Sequence, residues 1–256
     1  MAEVLNQTIG SQLKHCSVRE YTDEPVSAVL FDQIMAAAQR TASSMGMQAC
    51  SIIRVTDQAV KTALAEVCGQ GYVGRAPELL IFVVDQRRNA EIMTEAGIDA
   101  TNVGDMDKFF QGFTDACLMA QNVTVALEAL GLGGVYLGSI LNDPAKTIEI
   151  LKLPQYTFPV VGIGFGHPAQ TPQLKPRMPM DIRVFDNAYE VYDGEYTKKL
   201  GAYNEEMTTY YDLREPTKKS DFFTDQVASK LKGGLTARKK MMDHIMAQGF
   251  DLKLED

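Results

Sequence analysis

The chain has 256 residues, 45% of them apolar, which is enough for one large domain or two small ones that fold without disulfides or metals. Its 33 acidic and 25 basic side chains give a net charge of −8, which argues against a general nucleic-acid-binding protein, since that class normally carries a basic surplus. No apolar run approaches the roughly eighteen residues that span a bilayer, and the N-terminus lacks a signal pattern, so we expect neither membrane insertion nor secretion.

The first predicted elements are helices and strands that alternate irregularly. Ser27 precedes a stretch whose apolar residues fall on one helical face, which predicts a capped helix over 27–40. After a polar break, the β-branched segment 49–57 predicts a strand, and 58–70 returns to helical spacing. The continuous apolar run PELLIFVVD, residues 77–85, is typical of a strand that is buried on both faces.

A long helix is predicted over 107–131, ended by Gly131 and apolar on more than one side. This helix has more apolar surface than one packing partner would cover. The extra surface could lie in a subunit interface or be buried deep within one chain. A strand over 134–140, a helix over 144–153 that begins with a proline, and a buried strand over 158–168 follow.

The character of the chain changes after residue 168. Residues 168–194 are Pro-rich and predicted to be extended, and 195–247 are predicted to be helical and highly charged. We interpret them as an extension wrapped on the core or on a partner subunit rather than as a second domain. The element order predicts an α+β fold, a mixed sheet sandwiched between helices, and not a doubly wound sheet. The segment GLGGVYLG follows a helix and opens a strand, the reverse of a dinucleotide fingerprint.

The cysteines and motifs indicate no metal site and no catalytic side chain. The four cysteines have neither CxxC nor Cys/His ligand spacing, so we predict reduced thiols in a cytoplasmic protein. GxSxG and HExxH motifs are also absent, so a cofactor, if the protein has one, has to bring the chemistry.

The segment KHCSVREYTDEP, residues 14–25, is the first candidate binding site. His15, Ser17 and Arg19 alternate, so in an extended segment they point the same way and offer donors suited to a phosphate. The alternative is a solvated loop in which Arg19 pairs with Glu20 or Asp23.

Four further segments suit a heterocyclic or anionic ligand, although each also suits an ordinary turn or surface loop. They are a serine pair after a helix, a Gly-bracketed glutamine that can donate and accept, a glycine-rich turn with accessible amides, and a basic pair around a proline. The residues concerned are Ser43 and Ser44; Gln70; Leu137, Gly138 and Ser139; and Lys175 and Arg177.

Taken in order, HCSVREYTDEP, TASSMGMQACSIIRVTD, CGQGYV, LGLGGVYLGSI, LKLPQYTFPVVGIGFGHP and LKPRMP resemble the FMN-dependent nitroreductase and flavin reductase family, in its NADPH-preferring, oxygen-insensitive group A branch. The resemblance covers about residues 8–249. It implies a single nitroreductase-like domain over 1–256, with a core of about 8–168 and a C-terminal extension of about 169–256. It also implies a mainly antiparallel sheet and an intertwined homodimer with FMN at the interface.

The resemblance assigns the cofactor contacts residue by residue. The FMN-binding residues would be His15, Cys16, Ser17, Arg19, Ser43, Gln70, Leu137, Gly138, Ser139, Lys175 and Arg177, where Cys16 replaces a second arginine of many relatives. For NADPH, Arg214 matches the key arginine of a nucleotide-recognition loop, and Arg238, Lys218 and Lys219 are further candidates.

The activity implied is NADPH-dependent reduction of nitroaromatics, quinones or free flavins, by ping-pong hydride transfer through bound FMN, with NADH as a possible donor. The alternatives are a dedicated NADPH:FMN reductase that supplies reduced flavin to a partner, and a flavin-binding sensor without turnover. A nucleic-acid role for KLKGGLTARKK has little support, because no stacking aromatic lies within it.

Overall fold

The computed structural model describes residues 6–213, 217–233 and 236–251. They belong to two units, the first formed by Met1–Gln170 with Leu235–Asp256 and the second by Thr171–Gly234. Its strands are β1 (Cys50–Arg54), β2 (Glu78–Asp85), β3 (Gly133–Leu137) and β4 (Thr157–Gly166). Its helices are α1 (Gln7–Leu13), α2 (Ala28–Gln39), α3 (Gln58–Cys68), α4 (Tyr72–Arg75), α5 (Arg87–Glu95), α6 (Met106–Ala129), α7 (Pro144–Leu151), α8 (Tyr196–Lys199), α9 (Gly201–Met207), α10 (Phe223–Leu231), α11 (Thr236–Lys239) and α12 (Met241–Ala247).

The first unit is built on an antiparallel sheet with strand order β1-β2-β4-β3. All four predicted strands are present, and the α+β class with an antiparallel sheet between helices is confirmed. The register pairs Ile52 with Phe82 and Phe82 with Val161, and a bulge follows Phe82. The predicted strand over 134–140 ends earlier, at Leu137, because the chain turns there into a 3₁₀ helix, Gly138–Leu141.

Strand β2 places alternate side chains in two separate cores. Leu80, Phe82 and Val84 pack in the larger cluster with α2 and α6, whereas Leu79 and Ile81 pack with α3 and the 3₁₀ turn on the other face. This alternation confirms that the apolar run is buried on both faces.

Helix α6 buries one face against the sheet and exposes apolar side chains on another. Ala116, Val123 and Leu127 are fully buried, whereas Phe110 is 59% and Leu118 46% exposed. Deep burial within one chain is therefore confirmed for the face that packs on the sheet, and a subunit interface stays a prediction for the exposed face.

Side-chain caps explain where several helices begin. The Ser27 hydroxyl accepts a hydrogen bond from the Leu30 amide at the predicted start of α2, and Asp57 and Asp143 cap α3 and α7 in the same way. The sequence analysis did not predict α4 and α5, because a single turn and a mostly polar segment give little apolar periodicity.

The second unit contains the Pro-rich segment and helices α8, α9 and α10. Leu200, Tyr203 and Met207 form a small core of its own, with Met178 and Phe223 packed on it. The interpretation of this region as an extension rather than a second domain stays a prediction. Among the described residues, the helices lack the combination of length and hydropathy that a membrane span requires.

Candidate functional site

The segment that carries the first predicted site lies along the edge of β3. Ser17 forms a parallel bridge with Gly134, and the Val18 amide donates to the Gly134 carbonyl oxygen at 2.9 Å. Gly133 permits this approach, because a Cβ there would lie 2.6 Å from the Val18 side chain. Tyr21 anchors the far end, with its hydroxyl 2.8 Å from the Val18 carbonyl oxygen, and burial raises the pKa of that phenol.

His15 is held by a residue that the sequence analysis did not identify. Its Nδ1 lies 2.5 Å from Oε1 of Glu128, near the end of α6. The contact fixes the orientation of the ring and leaves Nε2 for a ligand. Nothing in the local sequence signals this partner, since 113 positions separate the two residues.

Arg19 makes neither of the ion pairs proposed as its alternative role. Glu20 pairs instead with Arg75 at 2.6 Å, and the Arg19 guanidinium lies 5.9 Å from the centre of the Tyr72 ring. Its Nε is buried and has no hydrogen-bond partner within the described chain. A buried, unpaired N–H of a fixed cation is suited to an anionic ligand.

Gln70 and Ser139 come together although 69 positions separate them. Gln70 follows α3, which ends at the left-handed Gly69, and Ser139 lies in the 3₁₀ turn after β3. The Ser139 hydroxyl donates to Gln70 Oε1 at 2.8 Å. Beside them Gly138 is exposed, and a Cβ built on it meets no atom within 4 Å, so a planar group can approach the main chain there.

Arg238 binds this same turn. Its guanidinium donates to the Gly138 carbonyl oxygen, and its Nε donates to Asn142 Oδ1 at 3.2 Å. The structure thus places this predicted nucleotide-binding arginine against the segment predicted to contact FMN. Asn142 is a further contact that the sequence analysis missed.

Ser43 belongs to a different hydrogen-bonded group, in which the central residue is the buried Asp115, 2% exposed. One carboxylate oxygen accepts from the Ser43 hydroxyl at 2.8 Å and from the Ala49 amide at 3.1 Å, and the other accepts from the Ser44 amide at 2.8 Å. Asp115 could have been recognised as an acid on the buried face of α6, where a charge requires partners. Within the described residues, no hydrogen bond joins Ser43 to the group around Gln70.

Lys175 and Arg177 lie in the second unit. Both line a cleft of about 360 Å³, together with Tyr203 and Phe223. Arg177 Nη1 donates to the Lys175 carbonyl oxygen at 3.4 Å, and Lys175 Nζ lies 5.5 Å from the centre of the Tyr210 ring. Arg214, the other predicted nucleotide-binding arginine, falls outside the described residues.

The groups assembled in the first unit suit FMN. Arg19 offers an unpaired cationic N–H of the kind that holds a phosphate, and open Gly138 leaves room for a flat ring beside Gln70. Leu137, the third predicted contact of that turn, is 1% exposed, so only its main chain is available. Cys16 is half-buried beside His15. The assignment of these residues to FMN stays a prediction.

Comparison with known proteins supplies independent information. The chain is 37% identical over 228 residues to an oxygen-insensitive NADPH nitroreductase of Salmonella typhimurium, covering 89% of this chain and 92% of the relative. It is 33% identical over 246 residues to an NADPH-flavin oxidoreductase of Vibrio harveyi, covering 96% and 98%. The fold matches nitroreductase A from Vibrio parahaemolyticus with a TM-score of 0.86 and 33% identity, covering 98% of this chain and 100% of that one.

A second solved structure, NADPH:FMN oxidoreductase from Vibrio harveyi complexed with NAD⁺, matches with a TM-score of 0.84 and 32% identity over 97% of this chain and 100% of that one. The model of the nitroreductase family matches residues 13–167, and that of the nitroreductase family C-terminal domain matches residues 175–253. The resemblance inferred from the sequence is confirmed. The chain belongs to the nitroreductase family.

Proposed function

We propose that the chain is an NADPH-dependent FMN oxidoreductase that reduces nitroaromatics, quinones or free flavins in a ping-pong cycle. The observation that carries the proposal is the Gln70–Ser139 hydrogen bond beside the open turn at Gly138, together with the buried, unpartnered Nε of Arg19 in the segment that lies along β3. Two relatives, an NADPH nitroreductase and an NADPH-flavin oxidoreductase, support the same activity.

The protein's contribution is binding and orientation. When bound, FMN supplies the capacity to take up hydride and pass it on. Arg19 neutralises the phosphate, and Glu128 holds the ring of His15, which lies in the same segment. Gly138 admits the ring face, and Gln70 supplies a polar contact at its edge. NADPH and the acceptor then use the same open face in turn, which is why the kinetics are ping-pong.

We further propose a homodimer in which the second chain completes the cofactor site. Ser43 lies apart from the Gln70 group within one chain, on a turn that exposes Met45 by 74% and Met47 by 51%. Phe110 and Leu118 of α6 are exposed as well. Exposed apolar side chains of this size commonly mark a protein interface.

For the NADPH phosphate we propose a cleft within the second unit, in which Lys175 contacts NADPH rather than FMN, the contact that the resemblance implies. This cleft of about 400 Å³ is lined by Lys175, Lys218, Lys219 and Lys230, against only two acids, Asp212 and Asp221. The excess of ammonium groups suits a phosphate dianion, and it would favour NADPH over NADH. Among the described residues, which include all four cysteines, no disulfide is formed, and this supports a reducing, cytoplasmic location.

Steady-state NADPH oxidation tests the proposed activity. With a nitroaromatic, a quinone or free FMN as acceptor, varying both substrates should give parallel double-reciprocal lines, because one product leaves before the second substrate binds. If free FMN accelerates NADPH oxidation but the nitroaromatic and the quinone do not, the chain is a dedicated NADPH:FMN reductase that supplies reduced flavin to a partner. NADPH oxidation that none of the acceptors accelerates would contradict the proposal.

A further inference from the structure

Gln70 can present two chemically opposite ends to a ligand. Its side-chain amide has an oxygen that only accepts hydrogen bonds and a nitrogen that only donates them. In the structure the oxygen is engaged by the Ser139 hydroxyl at 2.8 Å. The nitrogen makes no hydrogen bond to any residue that the structure describes. The end of Gln70 that remains available is therefore the donor.

A second hydrogen bond joins the turn that carries Ser139 to the end of α3. Asn142 Nδ2 donates to the Cys68 carbonyl oxygen at 3.3 Å and ties the two turns together.

We infer that Ser139 is a positioning residue whose hydroxyl holds the Gln70 oxygen away from the cofactor, so that Gln70 meets the flavin ring with its N–H groups. The inference rests on the proposed placement of Gln70 at FMN. Gln70 can in principle both donate and accept hydrogen bonds, but with its oxygen held by Ser139 only its N–H groups remain for the ligand. Its ligand must be an acceptor atom of the ring edge, a carbonyl oxygen or an unprotonated ring nitrogen.

A donor at this edge has a direct consequence for electron transfer. Reduction increases the negative charge on the flavin oxygens and ring nitrogens, so an N–H donor stabilises the reduced cofactor more than the oxidised one. An amide oxygen in the same place would have the opposite effect. Ser139 thus raises the reduction potential of the flavin without touching it through its side chain.

A double-mutant cycle between Ser139→Ala and Gln70→Ala tests the coupling, with FMN dissociation constants from fluorescence titration and midpoint potentials as readouts. Ser139→Ala should weaken FMN binding about three- to tenfold, the range of one hydrogen bond, and lower the potential. Ser139→Thr, which keeps the hydroxyl, should restore both values. In a Gln70→Ala background, Ser139→Ala should have no further effect.

The outcomes separate the inference from the site assignment. If Ser139→Ala weakens FMN binding equally with and without Gln70, Ser139 acts by another route and the inference is overturned. If Gln70→Ala leaves FMN affinity and potential unchanged, Gln70 does not meet the flavin, and the proposed site fails with the inference.

Gln70→Glu provides a second test if Ser139→Ala does not fold. It keeps an acceptor for Ser139 and turns an anionic oxygen toward the ring. It should bind FMN more weakly than Gln70→Ala and lower the potential further. FMN binding as tight as that of the wild type would overturn the inference.

Discussion

Replacing Asp115 by asparagine tests whether this buried acid holds the turn that carries Ser43. The carboxylate accepts three hydrogen bonds, two of them from the main-chain amides of Ser44 and Ala49. These two amides bind different carboxylate oxygens. Whichever way the new amide is oriented, its NH₂ group therefore faces a main-chain N–H, and one donor is left unsatisfied.

The expected loss of stability follows from that count. An unsatisfied buried donor costs about 1–3 kcal/mol, and hydrogen bonds to a charged group are worth about 1.5–3 kcal/mol each. We expect Asp115→Asn to lower the free energy of unfolding by about 2–4 kcal/mol, and Asp115→Ala by about 3–5 kcal/mol, because all three donors then lose their partner.

Urea denaturation followed by circular dichroism measures these values. Wild type and variants should be compared without FMN and at one protein concentration, because ligand binding and association both shift apparent stability. Asp107→Asn on the same helix is the matched control: its side chain is 65% exposed and accepts from Lys108 and Gln111 at the surface, so its loss should stay within about 1 kcal/mol. An Asp115→Asn variant within 0.5 kcal/mol of the wild type would refute the reasoning.

Three further predictions concern a buried thiol, a helix glycine and the unpartnered arginine. Burial raises the pKa of the Cys50 thiol from 9.0 to about 12. The protonated thiol therefore contributes fully to the free energy of unfolding below pH 9, and this contribution is lost as the pH rises toward 12. Between pH 8 and 10.5 the wild type should lose about 2 kcal/mol more than Cys50→Ala in urea titrations, and equal losses would contradict this shift. Gly112→Ala should destabilise by about 1–3 kcal/mol, because its Cβ would lie 2.8 Å from Val84, whereas Gly74→Ala, with its nearest contact at 3.5 Å, should not destabilise in the same titrations. Arg19→Ala should weaken FMN binding about 10- to 100-fold in fluorescence titrations, the range of a charge-assisted hydrogen bond, and an unchanged affinity would remove Arg19 from the phosphate site.

The parts of the fold that the sequence predicts well are those set by local patterns. The run 77–85 is apolar throughout and forms a strand buried on both faces, and Ser27 caps α2 because the hydroxyl needs only its own helix as a partner. Helix α5 was missed, since Ala90 is its only buried residue.

The candidate site shows the limit of local reasoning. The segments around His15, Gln70 and Ser139 are recognisable one at a time, but their partners lie far along the chain. Neither the contact of His15 with Glu128 nor the direction of the Ser139–Gln70 hydrogen bond can be read from nearby residues. Such contacts depend on how the helices pack on the sheet, which a residue pattern does not specify.

An anaerobic titration of the purified protein with NADPH tests the central claim most directly. The protein should bind FMN and show its visible absorbance, and about one equivalent of NADPH per flavin should bleach it. Addition of a quinone or nitroaromatic should then restore the oxidised spectrum. A colourless protein that does not bind added FMN, or a bound flavin that NADPH fails to bleach, would contradict the account.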